Sequence, residues 1–271
     1  NSTANIEIVS KTDKSGIDII IKDGTKNESC HIPVIISKSG VEECVYNDFY
    51  VGKDCDVTIV AGCGISNCGG HDSRHDGIHT FHIEKDAHVR YIEKHYGEGT
   101  GTGKRLMNPT TEVNLGEGAV MEMDTSQIAG INDTYRITRA VIGPGASLIM
   151  HDKILTNLDQ TAKAEIVVSL DGDGSKCDII SRGVAKGSSR QDIVIDIAGN
   201  SRCSGHASCD SIIMEHGVIV ATPKLAASNV DASLIHEAAI GKIAGEQITK
   251  LMTLGLTEEQ AEAKIIEGFL R

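Results

Sequence analysis

Hydrophobic and polar residues alternate over short stretches along most of the chain. Ile6 and Ile8, then Ile17, Ile19 and Ile21, then Val34 and Ile36 recur at every second position. That is the period of a strand with one buried face. Gly16, Gly24 and Gly40 punctuate these first fifty residues and mark turns between strands. After Pro223 the period lengthens. Ile240, Ile243, Ala244, Ile248, Leu251 and Met252 fall at helical spacing, and Gly255 supplies a stop. Thr257-Glu-Glu-Gln260 reads as a capping box that opens a second helix, with Ala261, Ile265, Ile266 and Phe269 on one stripe. The pattern therefore predicts a β core over residues 1–235 and C-terminal helices over 236–271.

Within the core a degenerate repeat begins near Val51. An aliphatic residue is followed by two variable ones, a Gly, Asp or Asn, a small residue and then strand residues. It occurs at Val51-Gly-Lys-Asp54, Ile83-Glu-Lys-Asp86, Leu115-Gly-Glu-Gly118 and Ile142-Gly-Pro-Gly145, with looser copies centred on Gly174, Asn200 and Gly217. From Asp54 to Gly174 the turn residues lie roughly 27 to 32 residues apart, the length of one coil of a parallel β-helix. Gly, Asn and Asp tolerate the left-handed corner that such a coil needs. The expected fold is mostly β: a right-handed parallel β-helix with a short C-terminal α-helical segment, residues 1–50 forming N-terminal strands and 51–235 the repeating coils. A β-sandwich is the alternative. A left-handed hexapeptide fold is set aside, because Ile142-Gly-Pro-Gly-Ala is not repeated every six residues.

Composition narrows the function. Aromatic residues make up 3% of the chain and there is no Trp, which fits stacked aliphatic layers better than a sugar-binding cleft. The net charge of −12 argues against a nucleic-acid partner. No apolar run approaches the roughly 20 residues of a membrane span, and residues 1–6 lack a signal-peptide pattern. The expectation is a cytoplasmic protein whose eight cysteines are reduced thiols.

Three constellations carry candidate chemistry. Cys209 precedes the pair His236-Glu237 by fewer than thirty residues; a thiolate, an imidazole and a carboxylate suit iron, zinc or an iron–sulfur cluster. A buried cysteine and a helix-capping His-Glu pair are the ordinary alternatives. Cys63, Cys68, His71, His75 and His79 form a second, possible metal group that does not match a standard zinc spacing, with His82 and His88 beyond it. The glycine-rich run Gly97–Lys104 hints at a phosphate loop, but Arg105 stands where Ser or Thr is required, and a surface loop is the expected reading. Nucleotide hydrolysis would therefore belong to a partner.

The ordered motifs Cys209-Asp-Ser-Ile-Ile-Met, Pro223-Lys-Leu-Ala-Ala, His236-Glu-Ala-Ala-Ile-Gly-Lys-Ile, Leu251-Met-Thr-Leu-Gly-Leu-Thr-Glu-Glu-Gln-Ala and Glu267-Gly-Phe-Leu closely resemble the SufB/SufD family. These are iron–sulfur cluster assembly proteins of the Suf system. The resemblance covers roughly residues 51–271 and is strongest over the last seventy. It implies a right-handed β-helix that pairs with a second such chain, and C-terminal helices that dock a SufC-like ABC ATPase. It also implies cluster ligands at Cys209 and Glu237, which match SufB, and at His236, which matches the SufD histidine. Carrying all three, the chain is expected to form both halves of the site as a homodimer, in a short form without the family's long N-terminal helical region.

The resulting expectation is a scaffold with no turnover of its own, holding a transient iron–sulfur cluster. A cysteine desulfurase or sulfur carrier and apo iron–sulfur clients are possible further partners, and a flavin is left open, as in some relatives. The expected docking residues are Ile240, Ile243, Ile248, Leu251, Met252, Ile265 and Phe269. The rival readings are a zinc-binding structural protein using Cys63–His82 and a β-helix enzyme acting on polysaccharides.

Overall fold

Each stretch of alternating residues forms a strand, and equivalent strands of successive repeats lie parallel and in register. The computed structural model describes residues 2–271 and every side chain among them except that of Ala129. In chain order the strands are β1 (Ile6–Ser10), β2 (Gly16–Ile21), β3 (Lys26–Ile36), β4 (Glu42–Val51), β5 (Asp56–Ser66), β6 (Ser73–Ile83), β7 (His88–Glu98), β8 (Arg105–Met107) and β9 (Thr110–Leu115). They continue as β10 (Val120–Ala129), β11 (Asp133–Ile142), β12 (Ser147–Thr156), β13 (Thr161–Leu170), β14 (Lys176–Ala185), β15 (Arg190–Gly199), β16 (Ser204–Ile213), β17 (Val218–Ala227) and β18 (Ser233–Gly241). One sheet runs β1-β2-β4-β6-β8-β11-β13-β15-β17, with β9 continuing β8 between β6 and β11. The other runs β3-β5-β7-β10-β12-β14-β16-β18. The chain thus alternates between two sheets and climbs one strand at each visit, a β-solenoid of about eight turns.

The corners follow the repeat. Asp54, Asp86, Gly118, Gly145 and Gly174 all have φ between 54° and 77°, the left-handed region that the sequence pattern anticipates. Of the looser copies, Gly174 holds, whereas Asn200 and Gly217 do not take this conformation. On the opposite corner Leu158, Gly187 and Glu215 take φ of 57°, 68° and 57°. A strand break separates β8 from β9 at Pro109, which has no N–H to give to a ladder.

Coils form earlier than expected, because β2 already pairs in parallel with β4 and β3 with β5. Only β1 is antiparallel; it folds back on β2 and buries Ile6 at the N-terminal end of the core. Between the sheets, inward side chains stack on their counterparts one coil away. Phe49 lies flat on Phe81 with ring centroids 4.3 Å apart. At the other end the outer edges of β17 and β18 are unpaired among the described residues. Val218, Val220, Leu225, Ile235 and Ile240 stand exposed there.

The core extends past residue 235. Residues 233–241 pair along β16 as β18, so His236, Glu237 and Ile240 lie in a strand and not in a helix. Ladder hydrogen bonds and the stacked inner face outweigh the helical spacing of a few apolar residues. The helices are α1 (Gly245–Thr253) and α2 (Glu258–Phe269). The capping box forms as read: the Gln260 N–H donates to Thr257 Oγ1 at 3.2 Å, and the Thr257 N–H donates to Gln260 Oε1 at 2.9 Å.

Helix α2 lies back on the eight-stranded sheet. Arg182 donates to the carbonyls of Phe269 and Arg271 at 2.9 and 3.0 Å and sits over the Phe269 ring. Ala261 is fully buried, and Ile265 and Phe269 are half-buried. These two expected docking residues are therefore partly committed within the chain itself. Ile243, Ile248 and Leu251 are also half-buried, whereas Ile240 and Met252 are exposed and α1 contains no buried residue. Among the described residues, no helix is long and apolar enough to cross a membrane.

Candidate functional site at the open end of the solenoid

Strand β16 alternates buried Gly205, Ala207, Cys209 and Ser211 with partly exposed positions. Cys209 thus points into the solenoid one coil from its open end. Burial, followed by the charges of Asp210 and Asp152, pushes its thiol up to about 11. It is protonated at neutral pH, and a metal would have to displace that proton.

On β18 His236 is directly opposite Ala207, and Ala238 is opposite Cys209. His236 therefore lies on the same inner face as Cys209, one coil further out and one inward position earlier. It is half-buried, and neither ring nitrogen has a hydrogen-bond partner among the described residues. Burial, with His206 adding to it, lowers its pKa, so the imidazole is neutral and both nitrogens are uncommitted. Glu237 is the exception within the expected trio. It pairs with Ser208 and is exposed on the opposite face of β18. Adjacent residues of a strand point to opposite sides, so one chain puts Cys209 and His236 on the same inner face and turns Glu237 to the other.

The second group splits in the same way. Cys68 and His71 are exposed in the loop between β5 and β6, whereas Cys63, His75 and His79 are buried inside the solenoid. His82 is outside, stacked on Tyr50. The glycine-rich loop is held against this region: the Gly101 and Gly103 N–H groups donate to the carbonyls of Asn67 and Gly69. No phosphate cradle forms. Among the described residues, no three or more His, Cys, Asp and Glu side chains stand ready together to hold a metal ion.

Residues that the motif reading missed occupy the interior. Glu93 is 3% exposed and accepts a hydrogen bond from Tyr91 Oη at 2.9 Å. Its Oε1 lies 3.6 Å from His79 Nδ1 and 3.4 Å from His95 Nε2. Burial opposes its charge, but the imidazoles of His95 and His79 and the Arg136 guanidinium outweigh burial and hold the carboxyl well below the usual range. Thr125 stands next to Glu93 in register, then Asp152, then Ser181, then Cys209. Asp152 Oδ1 accepts from Thr125 at 2.6 Å and pairs with Arg136 at 2.7 Å. The second oxygen of Asp152 and the hydroxyl of Ser181 have no partner. A polar file thus runs along the core and ends at Cys209. Extending the inward parity of each strand from coil to coil is the sequence signal that would have found it.

Burial lowers the pKa of His75 and of His79, although Glu43 and Glu93 respectively offset part of the effect. Both bind a proton less readily in the fold than at the ordinary value of 6.5. Their contribution to stability is complete above that value and is lost as pH falls below it, at up to about 1.4 kcal/mol per pH unit for each histidine. Glu93 acts in the same direction below its ordinary 4.5. The urea midpoint is therefore expected to fall between neutral pH and about pH 5.5. Equal midpoints would mean that the two imidazoles take up a proton as readily in the fold as in the unfolded chain.

The fold and the site define a class: a parallel β-solenoid with a thiol and an uncommitted imidazole on the inner face of its open end. The SUF system FeS cluster assembly SufBD core domain matches residues 43–269. The chain belongs to the SufBD family, whose role is iron–sulfur cluster assembly. An iron-sulfur cluster assembly SufBD family protein of Methanocaldococcus jannaschii is 28% identical over 93% of this chain and 79% of its own length. One from Archaeoglobus fulgidus is 28% identical over 95% of this chain and 69% of its own. One from Pyrococcus horikoshii is 26% identical over the whole of this chain and 82% of its own length. Other relatives are longer, and the chain spans 57% of one from Methanothermobacter thermautotrophicus.

Proposed function

We propose that this chain is a scaffold on which an iron–sulfur cluster is built and from which it is released, with ATP hydrolysis supplied by a separate SufC-like ABC ATPase and no turnover of its own. One observation carries the reading. A buried, protonated Cys209 thiol and a neutral, partnerless His236 imidazole share the inner face of the last two coils, where the solenoid is open. A soft and a borderline donor behind an uncovered edge can hold a cluster and still let it leave. Four buried thiolates would hold it more firmly.

The unpaired edges of β17 and β18, with exposed Val220, Leu225 and Ile235, are unstable in isolation and suit pairing with a second copy. In such a homodimer Glu237, turned outward, is offered across the interface rather than to Cys209 of its own chain. Exposed Met252 and Leu254 of the α1 region remain free to meet the ATPase. ATP-driven movement of that partner would open the edge and uncover Cys209. A cytoplasmic location is part of this reading, supported by the expectation of reduced thiols.

The test is anaerobic co-expression with the cognate ATPase, followed by purification. The expected product is a stable complex with visible absorption and a cluster EPR signal. A stable complex that remains colourless when iron and a sulfur donor are supplied would overturn the scaffold reading.

A further inference from the structure

Inside the N-terminal half of the solenoid, two histidines are arranged around a gap. His75, Gly77 and His79 occupy successive inward positions on β6. A Cβ built on Gly77 would stand 3.3 Å from His79 Nε2 and 3.8 Å from His75 Nε2. The missing side chain leaves the two nitrogens facing one space.

The other nitrogen of each ring is tied down. His75 Nδ1 meets Glu43 Oε1 at 2.8 Å. His79 Nδ1 meets Tyr91 Oη at 2.8 Å, and that hydroxyl donates in turn to Glu93. A carboxylate on Nδ1 fixes the tautomer and frees the Nε2 lone pair, the arrangement that orients imidazoles toward metal ions. His75 Nε2 has no hydrogen-bond partner although the residue is 1% exposed. At His79 Nε2 the Asn47 amide makes a long contact of 3.3 Å, which a metal bond would replace.

The surrounding charge favours a cation. Glu93 is buried beside His79, and Glu43 is half-buried beside His75. The Cys63 thiol also points inward, in register with His95 and close enough to feel both Glu93 and Glu43.

We propose that the space over Gly77 binds one borderline divalent transition-metal ion, Zn²⁺ by default, through Nε2 of His75 and Nε2 of His79. Two nitrogens are poised and no third protein ligand is preformed. Rotation of Cys63 or water completes the shell, and the site is separate from Cys209. This differs from the metal group read from spacing, since Cys68 and His71 take no part.

The test uses the full chain, stripped of metal and titrated anaerobically with Co²⁺ alone. Visible absorption and dialysis with metal analysis report binding, and circular dichroism reports the fold. One Co²⁺ per chain is expected, with the same affinity in Cys209→Ala. Binding should weaken roughly 10- to 100-fold in Glu43→Gln, which loosens the orienting contact. It should disappear in His75→Gln and in Gly77→Ala, the latter filling the gap while keeping every ligand. Absence of binding, binding indifferent to His75→Gln and Gly77→Ala in folded protein, or binding lost with Cys209→Ala would each overturn the proposal.

Discussion

Cys209→Ala is expected to abolish the cluster signal of the proposed complex while leaving the solenoid folded. The thiol is the soft donor on the inner face beside His236, and alanine offers nothing in its place. The structural cost is small: an inward sulfur is replaced by a methyl in a coil whose ladder is unchanged, worth about 1 kcal/mol. The measurement is the visible and EPR spectrum of the anaerobically co-expressed complex, read beside its thermal unfolding. A full cluster signal in a folded Cys209→Ala complex would remove Cys209 from the ligand set. His236→Ala should weaken the signal less, because water can occupy a borderline position. Glu237→Ala should act only where two copies meet, so its effect should track dimer formation.

Arg136→Met is expected to destabilise the fold by about 3–5 kcal/mol, the scale for breaking a buried pair by removing one partner. Arg136 pairs with Asp152 at 2.7 Å, with the two side chains 8% and 2% exposed. It also helps to hold the Glu93 carboxyl in its ionised form. Removing the guanidinium leaves both carboxylates buried with weaker compensation. The thermal midpoint should fall by on the order of 10 °C. Arg136→Met combined with Asp152→Leu should recover much of that loss, since an apolar pair of similar volume replaces the ion pair at little net cost. A single variant as stable as the parent would show that water already reaches these groups inside the solenoid.

The local rules were legible in the chain. Alternation gave the strands, the spacing of Asp54, Asp86, Gly118, Gly145 and Gly174 gave the coils and their corners, and Thr257 with Gln260 gave the start of α2. The motifs around Cys209 and His236 pointed to the family and to the open-end site. Where the reading failed, the failure was one of boundary and parity. Apolar residues from Ile240 onward matched a helix by spacing, yet residues 233–241 gain a full ladder by pairing with β16.

The sequence by itself therefore determined the period, the corner residues and the types of donor available, because these depend on near neighbours along the chain. Only the tertiary structure decided which donors meet. A side chain's face is set by the register between coils, and a shift of one residue reverses it. That is why His236 shares a face with Cys209 while Glu237 turns outward, why Cys63, His75 and His79 part from Cys68 and His71, and why Glu93, Thr125, Asp152 and Ser181 line up behind Cys209.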